Sequence, residues 1–529
     1  MTYCDLLFLL VFLPATILGY NIFPQKHRGK ILLVASYAFF VIISGKLIAY
    51  LLATTLLIYA SGLLLRHLKS RMKDATKDVD KEKKKILTNK SVKKQKAVLI
   101  LTILALLGSI VIIKYSGFIE TNLNNLFNSF NLQFSVALHK FTIPIGISFY
   151  TLQAISYIMD VYRGKIEADK NLGRLALFIS FFPQIMEGPI CRYSDTAQKL
   201  WEGERTNYKG LTFGTQRIMF GLMKKIVIAD RLNPLIEDIF NGYTNQNGAI
   251  IAAGMVLYTL QLYMDFSGVM DVVIGVAEIF NVKMPENFRQ PFFSKSISEF
   301  WTRWHITLGT WFKDYVYFPI SMSKLSKKKT SDLRKRIGKY YGPLITSSVA
   351  LAAVWFCNGV WHGSAWSFIF FGLYHFVLIM IGRIITPLSK KITNKLGIKE
   401  NNFLFRLMQI IRTTIFVFFG ELFFRANGLL AGFDMFKRIF TDFNINKLFD
   451  GALLEFQLDV KDYIIIAIVT VIVLVTSILK EKGINIRESI AKKNIVVRWG
   501  IYLSLFFIVV IFGAYGIGYI PVAPMYAQF

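Results

Sequence analysis

Apolar stretches recur along the chain at about 5–20, 31–43, 47–65, 97–115 and 142–160. They continue near 211–229, 250–266, 268–282, 343–361, 364–385, 408–424, 463–479 and 499–518. Each approaches the roughly 17–25 residues a helix needs to cross about 30 Å of hydrocarbon, so the pattern predicts an all-α, polytopic membrane protein with about 11–14 hydrophobic segments. The first stretch has no basic residue ahead of it, which predicts a retained span with an extracytoplasmic N-terminus rather than a cleaved signal peptide. Between 160 and 324 the order falters. Pro183, Gly188 and Pro189 interrupt one apolar run, and Trp301, Arg303 and Trp304 stud another. Short, tilted, re-entrant or interfacial helices are expected there, which a bilayer tolerates only where protein or water satisfies the backbone.

Composition agrees with this reading. Of 529 residues 54% are hydrophobic and 18% charged, too little polar surface for a soluble chain of this length. The net charge of +29 is concentrated. Residues 66–96 carry thirteen Lys/Arg against four Asp/Glu, and 324–339 carry eight against one, together 16 of the 29 charges. Basic loops stay in the cytoplasm, so both segments are expected there, near anionic lipid rather than nucleic acid. Continuing the alternation puts 116–141, with one Lys and one Glu, outside. The three cysteines, Cys4, Cys191 and Cys357, make no disulfide framework or zinc-type cluster, so neither a metal nor a bound cofactor is expected.

Ionisable side chains at membrane depth are costly, and each invites either a structural or a chemical explanation. Glu421 and Arg425 stand four apart, a spacing that suits an intrahelical ion pair. Glu299 and Arg303 share that spacing, while Asp265 and Asp271 flank Gly268 and suit a helix junction or polar network. His375 lies amid aromatics in GLYHF, as a hydrogen-bonded core histidine would.

Two histidines have richer surroundings. His305 sits in SISEFWTRWHITLGTWFKDYVYFP. As one helix this segment gathers Phe300, Trp304, Thr307 and Trp311 on a face, which an interfacial amphipathic helix would also explain. His362 sits in WFCNGVWHGSAWSF, with Asn358 four residues before it, Gly363 beside it, and Trp361 and Trp366 able to exclude water. A neutral imidazole there can take a proton near neutral pH, or be a capped structural histidine. Cys357 falls on another helical face, which argues against a Cys/His nucleophile.

Four blocks then carry a resemblance: PIGISFYTLQAISYIMDVYRG from Pro144, FFPQIMEGPICRY from Phe181, the long block from Gln261 to Ile320 that includes MPENFRQPFFSKSISEFWTRWHITLG, and NGVWHGSAWSFIFFGLYH from Asn358. In this order, over about 140–380, they resemble the membrane-bound O-acyltransferases, in particular the bacterial alginate O-acetyltransferase-like branch. The resemblance implies a ring of tilted helices around a central tunnel. It divides a single membrane domain into N-terminal helices (1–140), a catalytic core (141–385) and C-terminal helices (386–529).

It further implies that His362, in the WHG motif, is catalytic, and that His305, in the RWH motif, helps position substrate. Asn358, Trp361, Trp304, Glu187, Asp265 and Arg303 remain candidates for binding substrate or stabilising an oxyanion. The implied reaction passes an acetyl group from a cytoplasmic thioester, acetyl-coenzyme A, to a hydroxyl of a cell-surface or secreted polysaccharide in a bacterial plasma membrane. A separate extracytoplasmic partner of the SGNH type would complete it. Two departures from the branch stand out: Glu187 replaces the usual small residue before GPI, and PISMSKLSKKK from Pro319 replaces PLGG. Transfer of D-alanine to teichoic acid from a carrier-protein thioester is the near alternative, and a non-enzymatic polysaccharide or lipid transporter the distant one.

Overall fold

The computed structural model describes residues 1–139, 141–515, 519 and 522, and among these every regular element is helical. Among the described residues, eight helical stretches are long and apolar enough to cross a membrane: Gln25–Ala75, Lys81–Ser129, Gly248–Ile279, Lys324–His362, Trp366–Lys395, Phe403–Arg425, Val460–Glu481 and Ile495–Phe512. The chain is therefore a polytopic membrane protein. Phe8–Ile22 is a shorter apolar helix. Positions 516–518 of the last predicted segment lie outside the described residues.

The predicted segments differ from the observed spans because helices run through the breaks read from polarity. The segments 31–43 and 47–65 belong to one stretch, Gln25–Ala75, turned by a 3₁₀ step at Gly45–Leu47. Those at 250–266 and 268–282 form the single helix Gly248–Ile279. Gly268 is a packing point within it: a Cβ there would stand 2.8 Å from the Gly221 carbonyl oxygen of a neighbouring helix. Ile147–Arg163 starts later than expected and is buried on nearly all sides, an interior helix bounded by left-handed Gly146 and Gly164.

Neither basic segment is a loop. Residues 66–96 form the end of helix Ile48–Ala75, a turn at 76–80, and the start of helix Lys81–Ser129. Asp80 caps the latter by accepting from the backbone N–H groups of Glu82 and Lys83 at 2.9 and 3.0 Å. At about 1.5 Å per residue this helix is far longer than the hydrocarbon is thick, so its lysine-rich start extends beyond it. Residues 324–339 likewise open helix Lys324–His362, capped by Ser323 and kinked at left-handed Gly338. Lysine and arginine are good helix formers, so a helix outlasts its apolar stretch.

The irregular middle does contain short helices, Leu172–Ser180, Tyr193–Glu202, Ile297–Arg303 and Ile306–Phe312. The last two correct the single amphipathic helix expected around His305. The chain breaks between them, and Phe300, Trp304, Thr307 and Trp311 are all buried.

By contacts the chain divides into two compact units, Met1–Gly214 with Val273–Pro285, and Thr215–Val272 with Glu286–Phe529. In the first, Tyr3 donates to the Phe182 carbonyl (2.8 Å) and accepts from Met186 N–H (3.2 Å), pinning the Pro-rich turn that holds Glu187. Asp169 accepts from Arg174 Nε at 2.6 Å, from Asn171 N–H at 2.8 Å, and from the Tyr193 hydroxyl. Burial pushes the Asp169 carboxyl up, but the hydrogen bonds from Arg174 and Tyr193 outweigh it and hold it below the usual carboxylate range. The second unit contains both histidines of interest.

Candidate active site

His362 is the last residue of helix Lys324–His362; Gly363 is extended, and the chain turns back into helix Trp366–Lys395. These two helices pack closely because Gly372 lies against the Trp355 carbonyl, where a Cβ would come within 2.3 Å of the oxygen. The turn leaves the imidazole 5% exposed, with Trp361, Phe371 and Phe424 edge-on to it at ring-centroid distances of 5.0, 5.9 and 5.1 Å.

His305 arrives from a different direction. It joins the two short helices in a left-handed conformation, φ 45° and ψ 51°, uncommon for a residue with a side chain and typical of constrained functional positions. Its ring is 3% exposed and lies 4.8 Å from that of Phe266 and 5.7 Å from that of Trp361. Trp361 thus contacts both imidazoles.

The histidines line one cavity of about 60 Å³ together with Trp304, Trp355, Phe312 and Asn358. That volume exceeds what one water requires and suits a small group such as an acyl carbonyl and its attacking oxygen. Asn358, one turn before His362, is 7% exposed, and its Oδ1 has no hydrogen-bond partner among the described residues. A buried amide oxygen left without a partner is costly, and a ligand hydroxyl would satisfy it. Trp304 forms part of the wall, stacked on Phe300 at 5.5 Å and edge-on to Phe288 at 5.0 Å.

Other sequence candidates lie elsewhere. Arg303 bonds Glu299 at 2.8 Å, as its spacing implied, and Glu481 at 2.8 Å, and does not line the cavity. Asp265 is paired with Lys225 at 3.2 Å, which also meets Asp230 at 2.7 Å. Asp271 is held by Lys224 at 2.7 Å and Arg217 at 2.8 Å. Lys224 and Lys225, adjacent in the π-helical turn Met223–Ala229, point in different directions and between them reach three carboxylates. Arg217, Lys224, Lys480, Asp271 and Glu286 surround a second, polar cavity of about 50 Å³. Glu187 belongs to the first compact unit, where it is buried. The expected Glu421–Arg425 pair does not form: the Arg425 guanidinium lies over the Phe240 ring at 5.3 Å, because the short reach along the helix competes with an aromatic face next to it. Among the described residues no three His, Cys, Asp or Glu side chains converge as a metal site.

Asn287 went unremarked as a site residue in the sequence, although it stands in the PENFRQPF block. Its Oδ1 lies 3.2 Å from His305 Nδ1 and accepts from Thr307 N–H at 3.0 Å and Thr307 Oγ1 at 2.8 Å. Its backbone carbonyl accepts from Ile306 N–H at 3.0 Å, so it secures the left-handed turn at His305 from both ends.

Residues 169–332 match the membrane-bound O-acyltransferase family. The chain is 30% identical to a probable alginate O-acetylase of Azotobacter vinelandii, over 88% of this chain and 84% of that protein. It is 32% identical to a probable alginate O-acetylase of Pseudomonas putida, over 85% and 82%. This chain belongs to the membrane-bound O-acyltransferase family. It is therefore an acyltransferase of the alginate O-acetylase-like branch rather than a non-enzymatic transporter. A teichoic acid D-alanyltransferase of Bacillus subtilis is 33% identical over 48% of this chain and 62% of its own length.

Proposed function

We propose that this acyltransferase moves an acetyl group from acetyl-coenzyme A on the cytoplasmic side to a hydroxyl of a cell-surface or secreted polysaccharide, with His362 as general base. The observation that carries this reading is the small cavity lined by His362, His305 and Asn358, whose amide oxygen has no hydrogen-bond partner among the described residues. The acceptor hydroxyl donates toward His362, which takes its proton as the oxygen attacks the thioester carbonyl. The tetrahedral intermediate then expels the thiolate, and the proton on His362 returns to the sulfur, leaving ester, free thiol and neutral histidine. Asn358 orients the hydroxyl or faces the developing oxyanion, His305 positions the reactants, and the aromatic wall of Trp304 and Trp355, with Trp361 packed against both histidines, keeps water out.

The alginate O-acetylase relatives favour acetyl as the group and a polysaccharide as acceptor. Donor and acceptor reach His362 from opposite faces of the membrane through a tunnel, with the N-terminus outside and the basic helix ends at 66–96 and 324–339 in the cytoplasm, where they attract the donor's phosphates. A separate extracytoplasmic enzyme of the SGNH type finishes transfer to polymer.

Purified protein in lipid nanodiscs, given labelled acetyl-coenzyme A and a hydroxyl acceptor, should release free thiol and label that acceptor, with polymer labelled once an extracytoplasmic SGNH-type enzyme is added, and His362→Ala should do none of these. Full transfer by a folded His362→Ala protein would refute the assignment. The D-alanyltransferase relative favours a second reading, transfer of D-alanine from a carrier protein. Parallel labelling with acetate and with D-alanine separates the two.

A further inference from the structure

Asn287 is 1% exposed, and its side chain has no freedom of orientation. The Thr307 backbone N–H can only donate, so the amide atom 3.0 Å from it is the oxygen. The other end, Nδ2, donates to Met270 Sδ at 3.2 Å. An amide oxygen can only accept, and His305 Nδ1, 3.2 Å away, therefore meets it as N–H. In a neutral imidazole the proton on Nδ1 makes Nε2 the lone-pair nitrogen. The left-handed backbone of His305, tied by Ile306 N–H to the Asn287 carbonyl and by Thr307 to its side chain, keeps the Nδ1 edge of the ring on Asn287.

We propose that Asn287 is a positioning residue for acyl transfer: it fixes His305 as the Nδ1–H tautomer, so that Nε2 serves the shared cavity as a hydrogen-bond and proton acceptor. This rests on the reading that His305 takes part in the transfer. Each histidine then offers a basic nitrogen, and the pair accepts a hydroxyl hydrogen from either of two directions around Trp361. A ring flipped to the Nε2–H tautomer would present a donor where the acceptor hydroxyl also donates, and the hydroxyl would no longer be aligned for attack.

The test uses the full-length protein labelled with ¹⁵N-histidine in lipid bilayers, with His305→Gln assigning the His305 resonances by difference. The expected result is a protonated Nδ1 in the parent protein, a shift of the proton toward Nε2 in Asn287→Leu, and the original tautomer in Asn287→Asp, which keeps the acceptor oxygens. With acetyl-coenzyme A as donor, Asn287→Leu should lower kcat at least tenfold with KM within about twofold, Asn287→Asp should recover most of that loss, and Asn287→Leu should cost nothing further in the His305→Gln background. A protonated Nε2 in the parent, a tautomer indifferent to Asn287→Leu, or losses that add in the double variant would each overturn the proposal. Unchanged transfer by His305→Gln alongside the expected tautomer would instead remove the reading of His305 on which it rests, so the two failures are told apart.

Discussion

Lys224 Nζ lies 2.7 Å from Asp271 Oδ2, with both side chains almost entirely buried among membrane helices. Lys224 also donates to the Ser267 carbonyl and hydroxyl at 2.9 Å, and Asp271 accepts from Arg217. The Asp271 carboxylate thus balances two cations in a setting where an unpaired charge is expensive. Breaking such a buried pair from one side costs about 3–5 kcal/mol, whereas removing both charges is often neutral. Asp271→Asn should therefore lower the thermal unfolding temperature sharply and reduce membrane yield, and Lys224→Met combined with Asp271→Leu should recover much of it. Equal losses in the single and double variants, read by size-exclusion and thermal unfolding in detergent, would show the pair is not what matters.

His362→Ala is expected to lower the transfer rate by about 10²- to 10⁴-fold, the range general base catalysis contributes, without lowering the unfolding temperature by more than a few degrees. The comparison of rate with unfolding temperature on the same preparation separates lost chemistry from lost fold.

Asn358→Leu removes the buried, unpartnered amide oxygen from a side chain that lines the cavity. Transfer should fall about 10²-fold, by analogy with loss of one oriented polar group at a reacting centre. Asn358→Asp retains an oxygen and should lose less. A stable Asn358→Leu protein with unaltered kinetics would show that the amide faces no reactant.

Gly372→Val places a branched side chain where even a Cβ would meet the Trp355 carbonyl oxygen at 2.3 Å. The two helices that frame His362 must separate, at a cost of about 1–3 kcal/mol for overpacking. Both stability and transfer should fall together, because the same crossing positions Asn358 and His362. The paired measurement is unfolding temperature and turnover.

Asp169 titrates below the usual carboxylate range in the folded protein, because hydrogen bonds from Arg174 and Tyr193 prevail over burial. A carboxyl depressed on folding stabilises the fold fully above its unfolded value of about 3.9, and that contribution fades as pH falls through the lower folded value. Asp169→Asn should accordingly be less stable than the parent at pH 7, with the gap narrowing below about pH 4. A gap independent of pH would assign the effect to packing alone.

The sequence alone determined that this chain lives in a membrane, that it is helical, and which ordered motifs place it among the O-acyltransferases. Those properties follow from hydrophobic length, charge bias and residue order, all of which are local or linear. It also marked His362, Asn358, Trp361, Trp304 and His305, which line or border one cavity, because small, polar and aromatic residues at helical spacing are legible within a single segment. Tertiary structure decided the rest. Polarity could not reveal that the basic stretches are helix ends, since lysine favours helix whether or not lipid surrounds it. Spacing suggested a Glu421–Arg425 pair, but an aromatic ring on another helix claimed the guanidinium. Arg303 and Asp265, candidates for the site by sequence, meet distant partners, Glu481 and Lys225, that only the tertiary structure brings to them. Asn287 showed its importance only once the turn at His305 brought ring and amide together, because a left-handed residue and a long-range hydrogen bond are set by packing rather than by any pattern along the chain.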